Sequence, residues 1–224
     1  MLLDPREWTQ LELIQFGVTE PATTALFERL LGSGDIAIDV GSHVGTLSLL
    51  AAHSVGAQGH VYAIDPQPHN CHLVLTNSAA SGFGNITTIC AAVGQEDGFI
   101  TLQHQSDQDR ARLSLANIGP NDQPYPFVVP LVSVDDLAIR YEMPRIRLLK
   151  IDVEGYELAV LEGCKASLSR VDNVIVEVLP ESGAAFAAQL ARILSAAGFK
   201  FSSVTGEAWS PGQALTENNL WASR

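Results

Sequence analysis

The sequence IAIDVGSHVG, residues 36–45, decides the fold. Its first half is apolar and β-branched, which predicts a buried strand over 36–40. Two glycines four residues apart follow, and they predict a tight loop into a helix over 44–53. A strand that turns through a glycine loop into a helix begins a βαβ unit.

The same alternation of short apolar runs and helical segments continues along the chain. Strands are predicted at 61–64, 86–92, 148–153 and 174–178, and further helices at 68–81, 156–168 and 182–197. The last two apolar runs, 199–204 and 220–223, predict a terminal antiparallel hairpin. The pattern favours an α/β fold with a mostly parallel sheet and helices on both faces.

A polar insert interrupts this alternation. Runs at 100–103 and 127–131 predict a strand pair, and residues 105–125 between them are rich in Gln, Asp, Asn and Pro. Long segments without secondary structure in a compact domain are usually functional or mobile. The insert is therefore a candidate lid, with plain surface disorder as the alternative.

The first 34 residues precede the alternating pattern. They contain two short helical segments, 6–16 and 20–31, and end in the helix-stopping sequence GSG. We predict a helical cap over 1–34 ahead of a domain over 35–224. A length of 224 residues suits one domain overall, because α/β architectures often exceed the usual domain length.

The composition argues against several classes of partner. Asp and Glu number 25 against 13 Lys and Arg, and no basic stripe is present to neutralise a phosphate backbone, so we expect no nucleic-acid partner. Three widely spaced cysteines fit neither a disulfide framework nor a zinc pattern, which favours a cytoplasmic protein. No metal site is expected, with Mg²⁺ on the carboxylates of Asp152 and Glu154 as the alternative. No apolar run approaches the ~18 residues of a membrane span, so no membrane association is expected.

The loop after the first predicted strand carries the first candidate binding residues. Backbone N–H groups at the start of the following helix form a natural site for an anion, which indicates a nucleotide-type ligand. His43 occupies the place of the second glycine in the G-x-G-x-x-G pattern, and this argues against nicotinamide. Asp39 would accept from an ammonium group and repel a pyrophosphate. The ligand is therefore expected to carry a positive charge beside its carboxylate.

Asp65 ends the second predicted strand. The number of residues between the glycine loop and Asp65 is close to ~20. This is the spacing at which an acidic side chain binds ribose hydroxyls in such folds. Capping of the next helix is the alternative role, and the spacing alone does not exclude it. Asp65 and Asp39, taken together, favour the ribose interpretation.

Charged residues interrupt the apolar strand near residue 150. Lys150, Asp152 and Glu154 stand at alternate positions and are expected to share one face. A Lys150–Asp152 ion pair that only closes the sheet is one interpretation, since buried charges need partners. Ligands of open α/β sheets, however, bind beyond the carboxyl ends of the strands. With Glu177 in the fifth predicted strand, three carboxylates are expected to converge on one rim.

Several ordered motifs make the chain resemble the FkbM-type S-adenosylmethionine (SAM) dependent methyltransferases. The resemblance covers about residues 17–178. Its motifs are IDVGSHVG at 38–45, VYAIDP at 61–66 with Asn70 and Asn77, AAVG at 91–94, VSVDDL at 132–137, and LKIDVEGYE at 149–157 running into LEG at 161–163.

The resemblance implies a Rossmann-like class I methyltransferase fold that binds SAM. The loop from Asp39 to Gly45 would hold the methionine end of the cofactor, Asp65 its ribose, and the residues after the third strand its adenine. The residues assigned to the cofactor in this way are Asp39, Gly41, Ser42, His43, Gly45, Thr46, Asp65, Pro66, Ala92, Val93 and Asp152.

The resemblance suggests a hydroxyl acceptor on a small molecule or sugar. Such an acceptor must lose its proton, and a positioned carboxylate or histidine is the simplest base. We expect Asp152 or Glu154 to be the base, Glu177 to orient the acceptor and Lys150 to neutralise the carboxylates, with His43 as a further candidate base.

Two other classes of function remain open. One is a nicotinamide-dependent oxidoreductase on the same topology, against which Asp39 and the missing second glycine argue. The other is a binding protein that keeps the fold without turnover, because a fold does not imply a function. A homodimer is also compatible with the low charge and with Trp209 and Trp221 near the C-terminus.

Overall fold

A computed structural model describes residues 1–103 and 124–224 of the chain. The predicted lid at 105–125 lies outside the described residues, except for its last two, which belong to a strand. Within the described parts, none of the helices has the length and apolar character that a membrane span requires.

Seven helices and ten strands form the described fold. The helices are α1 (Trp8–Phe16), α2 (Pro21–Leu30), α3 (Thr46–Val55), α4 (Pro68–Ala80), α5 (Val134–Arg140), α6 (Glu157–Glu162) and α7 (Gly183–Ala196). The strands are β1 (Ile36–Val40), β2 (His60–Asp65), β3 (Ile86–Cys90), β4 (Ala92–Val93), β5 (Gly98–Gln103), β6 (Pro124–Val132), β7 (Ile146–Ile151), β8 (Val171–Glu177), β9 (Lys200–Ser203) and β10 (Asn219–Ser223).

The central sheet has seven strands in the order β3-β2-β1-β7-β8-β10-β9. The first five are parallel, and β10 runs antiparallel to both of its neighbours. The prediction of a mostly parallel sheet that ends in an antiparallel strand pair is confirmed. Because the order reverses direction at β1 and β7, the carboxyl ends of these two strands border the crevice where such sheets bind ligands.

The predicted strand 86–92 is two strands in the structure. β3 ends at Cys90, and β4 leaves the central sheet to pair with β6, which also pairs antiparallel with β5. The strand pair around the insert is therefore confirmed, but as part of a separate three-stranded sheet. The departure at Ala91 turns the backbone of β4 toward the same edge of the central sheet.

Helices cover both faces of the central sheet. On one face, α2 and α3 bury Leu26, Phe27 and Ala52 against the strands. On the other face, the core cluster contains residues from α5, α6 and α7. Trp209 is 6% exposed and belongs to this core cluster on the other face. This tryptophan therefore packs inside the protein and does not form a dimer surface.

Helix α6 is shorter than the predicted helix 156–168 because hydrogen bonds to α5 replace those of a longer helix. The carbonyl oxygen of Gly163 accepts from the backbone N–H of Asp135. The carboxylate of Asp135 in turn accepts from the backbone N–H groups of Ala166 and Ser167. The chain resumes as a short 3₁₀ turn, Ser167–Arg170.

Gly163 also lets α6 approach the small sheet closely. A Cβ atom at this position would lie 2.0 Å from the carbonyl oxygen of Gly94, which is backbone and cannot rotate away. Gly163→Ala should therefore lower the free energy of unfolding by ~1–3 kcal/mol, the usual effect of overpacking. Urea denaturation measures this change.

Gly84→Ala is the matched control, because a Cβ atom at Gly84 meets no atom within 4 Å. Its free energy of unfolding should stay within ~0.5 kcal/mol of the parent or rise slightly. Equal losses in the two variants would contradict the role given to Gly163.

Candidate functional site

A cavity of about 570 Å³ opens at the carboxyl ends of β1, β2, β7 and β8. Its volume falls within the range of small-molecule sites. Every predicted site residue except Gly45 lines it. These lining residues are Asp39, Gly41, Ser42, His43, Thr46, Asp65, Pro66, Ala92, Val93, Lys150, Asp152, Glu154 and Glu177.

Four backbone N–H groups of the loop between β1 and α3 are hydrogen-bonded within the protein. The amides of Gly41 and Ser42 donate to the carbonyl oxygen of Ile64, and the amide of Gly45 donates to that of Ser42. The amide of His43 donates to the carboxylate of Asp65 at 2.9 Å. Three of these bonds join the loop to β2 and the fourth lies within the loop, so the backbone anion site at the start of α3 stays a prediction.

Gly41 sets how closely β1 and β7 approach at the cavity. Its φ is +82°, and a Cβ atom there would lie 1.7 Å from the carbonyl oxygen of Asp152. Only glycine fits both the conformation and the space. The side chains of Asp39 and Asp152 are thereby brought to the same rim.

Asp39 ends β1 almost completely buried, with 2% of its surface exposed. One carboxylate oxygen, Oδ2, accepts from the hydroxyl of Ser48 on α3 at 2.6 Å. The other, Oδ1, is buried without a hydrogen-bond partner, as is the hydroxyl of Ser42 nearby in the loop. Burial raises the pKa of Asp39, and the positive charge of Lys150 opposes this shift. An unpartnered buried carboxylate oxygen is costly unless a ligand donates to it.

Asp65 both anchors the start of the following helix and lines the cavity. Its Oδ1 caps the following helix by accepting from the backbone N–H of Gln67 at 2.8 Å and from the amide of Asn70 at 3.0 Å. It also faces the cavity. Burial raises its pKa to about 7, although its hydrogen bonds oppose the shift.

Lys150 is the central cation of the site and is 2% exposed. Its ammonium group lies 2.6 Å from Oδ2 of Asp152, so the ion pair considered from sequence is present. Burial alone would lower the pKa of Lys150, but the charges of Asp152, Glu20 and Asp39 outweigh it and raise the pKa. Lys150 therefore stays charged and holds Asp152 ionised, with a pKa below its usual value despite burial.

Glu177 at the end of β8 lies beside Asp152. Burial raises the pKa of its carboxyl to about 9, and the charges of Asp152 and Glu154 act in the same direction. At neutral pH the pair consequently holds one proton, on Glu177. The Oε2 atom of Glu177 is buried without a partner.

Two predicted candidates lie in unusual backbone conformations. β7 ends at Ile151, and Glu154 has a φ of +53°, so strand alternation does not continue to Glu154 as expected. It still lines the cavity because the turn brings it back to the rim. His43 has a φ of +49°, and burial lowers its pKa, which makes it neutral at pH 7.

The N-terminal helix forms a wall of the cavity. The chain is fastened at one side by hydrogen bonds between the side chain of Asn77 and the backbone of Leu2. At the other side, Glu20 accepts from the amide of Asn219 at 2.8 Å. Between these points Glu7 and, on α1, Glu12 line the cavity. Motif spacing had not indicated Glu7, Glu12 or Glu20, because none belongs to a motif of the sheet.

Acidic side chains dominate the cavity. We call the following eight residues the acidic lining: Glu7, Glu12, Glu20, Asp39, Asp65, Asp152, Glu154 and Glu177. Among the described lining residues, Lys150 is the one Lys or Arg, and its charge is paired with Asp152.

Comparisons with known proteins agree with this architecture. The family model described as "Methyltransferase FkbM domain" matches residues 39–201. The hexuronic acid methyltransferase AglP of Haloferax volcanii is 26% identical over 144 residues, which are 64% of this chain and 56% of AglP. The chain thus spans about half the length of this curated relative.

Solved structures share the fold at low sequence identity. A methyltransferase FkbM from Methylobacillus flagellatus KT has a TM-score of 0.52 and 14% identity, covering 99% of this chain and 62% of that one. The Streptococcus mutans protein SMU.1697c, solved in complex with SAH, has a TM-score of 0.53 and 13% identity, covering 92% and 97%. The predicted class I methyltransferase fold is confirmed.

The high pKa of Glu177 predicts a pH dependence of stability. Folding raises this pKa from 4.5 to about 9, so the residue contributes most below pH 4.5 and its contribution is lost as pH rises through about 9. Relative to Glu177→Gln, the unmodified protein should therefore lose at least ~1.4 kcal/mol of stability between about pH 5 and pH 9. Urea denaturation across this range measures the difference.

Glu181→Gln serves as the control, because Glu181 is exposed and lies outside the cavity. It should follow the pH dependence of the unmodified protein. If the Glu177→Gln curve also ran parallel to that of the unmodified protein, Glu177 would not be the proton-holding member of the pair.

Proposed function

The chain belongs to the FkbM methyltransferase family, and we propose that it transfers a methyl group from SAM to a hydroxyl group of a sugar or another small molecule. The observation that carries this proposal is the buried Oδ1 of Asp39, which has no hydrogen-bond partner although Asp39 lines a cavity at the carboxyl edge of the sheet. The sugar is included because the relative AglP is named for a hexuronic acid.

The residues of the β1 and β2 side fit the methyl donor. The amino group of SAM can donate to Oδ1 of Asp39, and the hydroxyl of Ser42 offers a second unpartnered polar atom. A carboxyl group at Asp65 can bind ribose hydroxyls while it caps α4. Ala92 and Val93 are each 2% exposed and line the cavity, and we assign them to the adenine.

The residues of the β7 and β8 side fit the acceptor. When bound, SAM supplies an electrophilic methyl group, and the chain must hold a hydroxyl oxygen in line with it. We assign the removal of the hydroxyl proton to Asp152, because Lys150 keeps this carboxylate ionised at the cavity. Glu154 is the alternative base. Glu177 shares its proton with Asp152 in a side-chain hydrogen bond, and its unpartnered Oε2 can accept a hydrogen bond from the acceptor.

The two competing functions receive less support. A nicotinamide cofactor would place its pyrophosphate near the buried carboxylate of Asp39, where like charges repel. A binding protein without turnover would not need an ionised base and a protonated acid side by side at the cavity, yet Asp152 and Glu177 form such a pair.

The division into a cap over 1–34 and a domain over 35–224 remains part of this proposal. The role of α1 as a cavity wall supports it. Helix α2 differs, because its Leu26 and Phe27 are each 1% exposed and pack into the core of the sheet. We therefore regard α1 as the part of the cap that selects ligands.

Asp39→Asn tests the assignment of the donor site. Removing the negative charge should weaken binding of SAM and of SAH by ~10–100-fold, because each carries the ammonium group that we place on Oδ1. Isothermal titration calorimetry measures the affinities, with NAD titrated in parallel and expected not to bind the unmodified protein.

Asp172→Asn is the matched control, since Asp172 pairs with Arg145 and Arg147 near the start of β8, the opposite end of the strand from Glu177. It should leave both affinities unchanged. Tight binding of NAD, or unchanged SAM binding by Asp39→Asn, would contradict the proposed function.

Asp152→Asn tests the assignment of the base. Transfer of radiolabelled methyl from SAM should fall by ~10²–10⁴-fold in kcat, the usual contribution of a general base. The affinity for SAM should remain within ~10-fold, because the donor binds mainly through the β1 and β2 side. Glu154→Gln should reduce kcat less than Asp152→Asn does. The reverse order would move the role to Glu154.

A further inference from the structure

We propose that the acceptor is a neutral or positively charged polyhydroxylated molecule, and that the acidic lining excludes acceptors with a carboxylate or phosphate. This inference rests on the proposed methyl transfer and specifies its substrate class. It distinguishes the chain from AglP, which is named for a hexuronic acid. The likeness to AglP covers only 56% of that protein and does not decide the acceptor.

No free cation is available for an anionic acceptor among the described lining residues. A carboxylate-binding site ordinarily offers an Arg or Lys side chain to the ligand. Here Lys150 is buried at 2% exposure, and its ammonium group lies 2.6 Å from Asp152. A negatively charged acceptor would have to break this pair or remain uncompensated.

Two carboxyl groups of the acidic lining are held in place by hydrogen bonds. Glu20 cannot swing away freely, because Asn219 holds its carboxylate at 2.8 Å and Asn219 is itself 2% exposed. Asp152 is held by Lys150. A ligand carboxylate between these groups would lose its hydration and meet like charges, which disfavours binding strongly in a partly buried site.

Glu177 can form a hydrogen bond with a neutral hydroxyl group. Its Oε2 is buried without a partner in the same wall of the cavity. The proton of Glu177 lies in the hydrogen bond to Asp152, so Oε2 is left to accept a hydrogen bond, and a sugar hydroxyl can donate one. A ring with neighbouring hydroxyls can therefore satisfy Glu177 and present one oxygen to Asp152. An acceptor ammonium group would gain from Glu20 and Glu154 in addition.

The N-terminal wall of the cavity carries the same sign of charge. Glu7 and Glu12 both line it, in the segment between the contacts of Leu2 with Asn77 and of Glu20 with Asn219. A cleft of one sign slows the approach of ligands with that sign and favours the opposite one.

Acceptor panels built as charge-matched triplets test this proposal. One triplet consists of methyl glucoside, methyl glucosaminide and methyl glucuronide, and others repeat the neutral, ammonium and carboxylate forms on a pentose and on an aromatic glycoside. Methyl transfer from SAM gives kcat/KM for each member. Where turnover is too slow, saturation-transfer NMR on the SAH-saturated protein ranks binding. The carboxylate member should be the weakest of each triplet by ~10-fold or more.

Reversing the charge of one residue of the acidic lining tests whether that lining causes the discrimination against carboxylates. Glu12→Lys should reduce the disadvantage of the carboxylate members, while Glu28→Lys, an equal change in net charge at an exposed position of α2 outside the cavity, should not. Carboxylate members that equal or exceed the neutral ones, or identical effects of the two variants, would overturn the proposal.

The proposed function is tested separately by SAM binding. Loss of the charge preference with SAM affinity intact would refute this inference alone, whereas absence of SAM binding would refute the methyl transfer itself.

Discussion

The buried ammonium group of Lys150 is the constraint on which the site depends. Several carboxylates meet at the carboxyl edge of the sheet, and such a group of negative charges would not tolerate burial without a cation. Lys150 binds Asp152 directly and lowers the free energy of the charges on Asp39 and Glu20. The positive charge of Lys150 is therefore balanced by these carboxylates. The other members of the acidic lining therefore have no further Lys or Arg beside them among the described lining residues.

Strand register explains why this cation stands where it does. Asp39 on β1 is the register partner of Lys150 on β7, so the two side chains share one face of the sheet. Two residues further along, Gly41 permits the backbone of Asp152 to come closer than any side chain would allow. The sheet thus places one carboxylate with a free oxygen beside one that is held ionised. We interpret the first as a donor-binding group and the second as the base.

Local patterns predicted much of this arrangement. The parallel strands and the carboxylates at their ends could be anticipated, because strand periodicity and the glycine loop are properties of neighbouring residues. The division of the strand predicted at 86–92 and the early end of α6 could not, since they follow from pairing of β4 with β6 and from contacts of Gly163 with Gly94 and Asp135. The hydrogen bonds of the Gly41, Ser42 and His43 amides to β2 could not be anticipated either, because they depend on the neighbouring strand.

A crystal structure of the protein with SAH would test the central claim most directly, namely that the free oxygen of Asp39 receives the amino group of the cofactor. We predict that this ammonium group lies within ~3.2 Å of Oδ1 of Asp39 and that the ribose hydroxyls contact Asp65. A structure in which SAH leaves Oδ1 of Asp39 without a ligand contact, or binds outside the cavity, would contradict it.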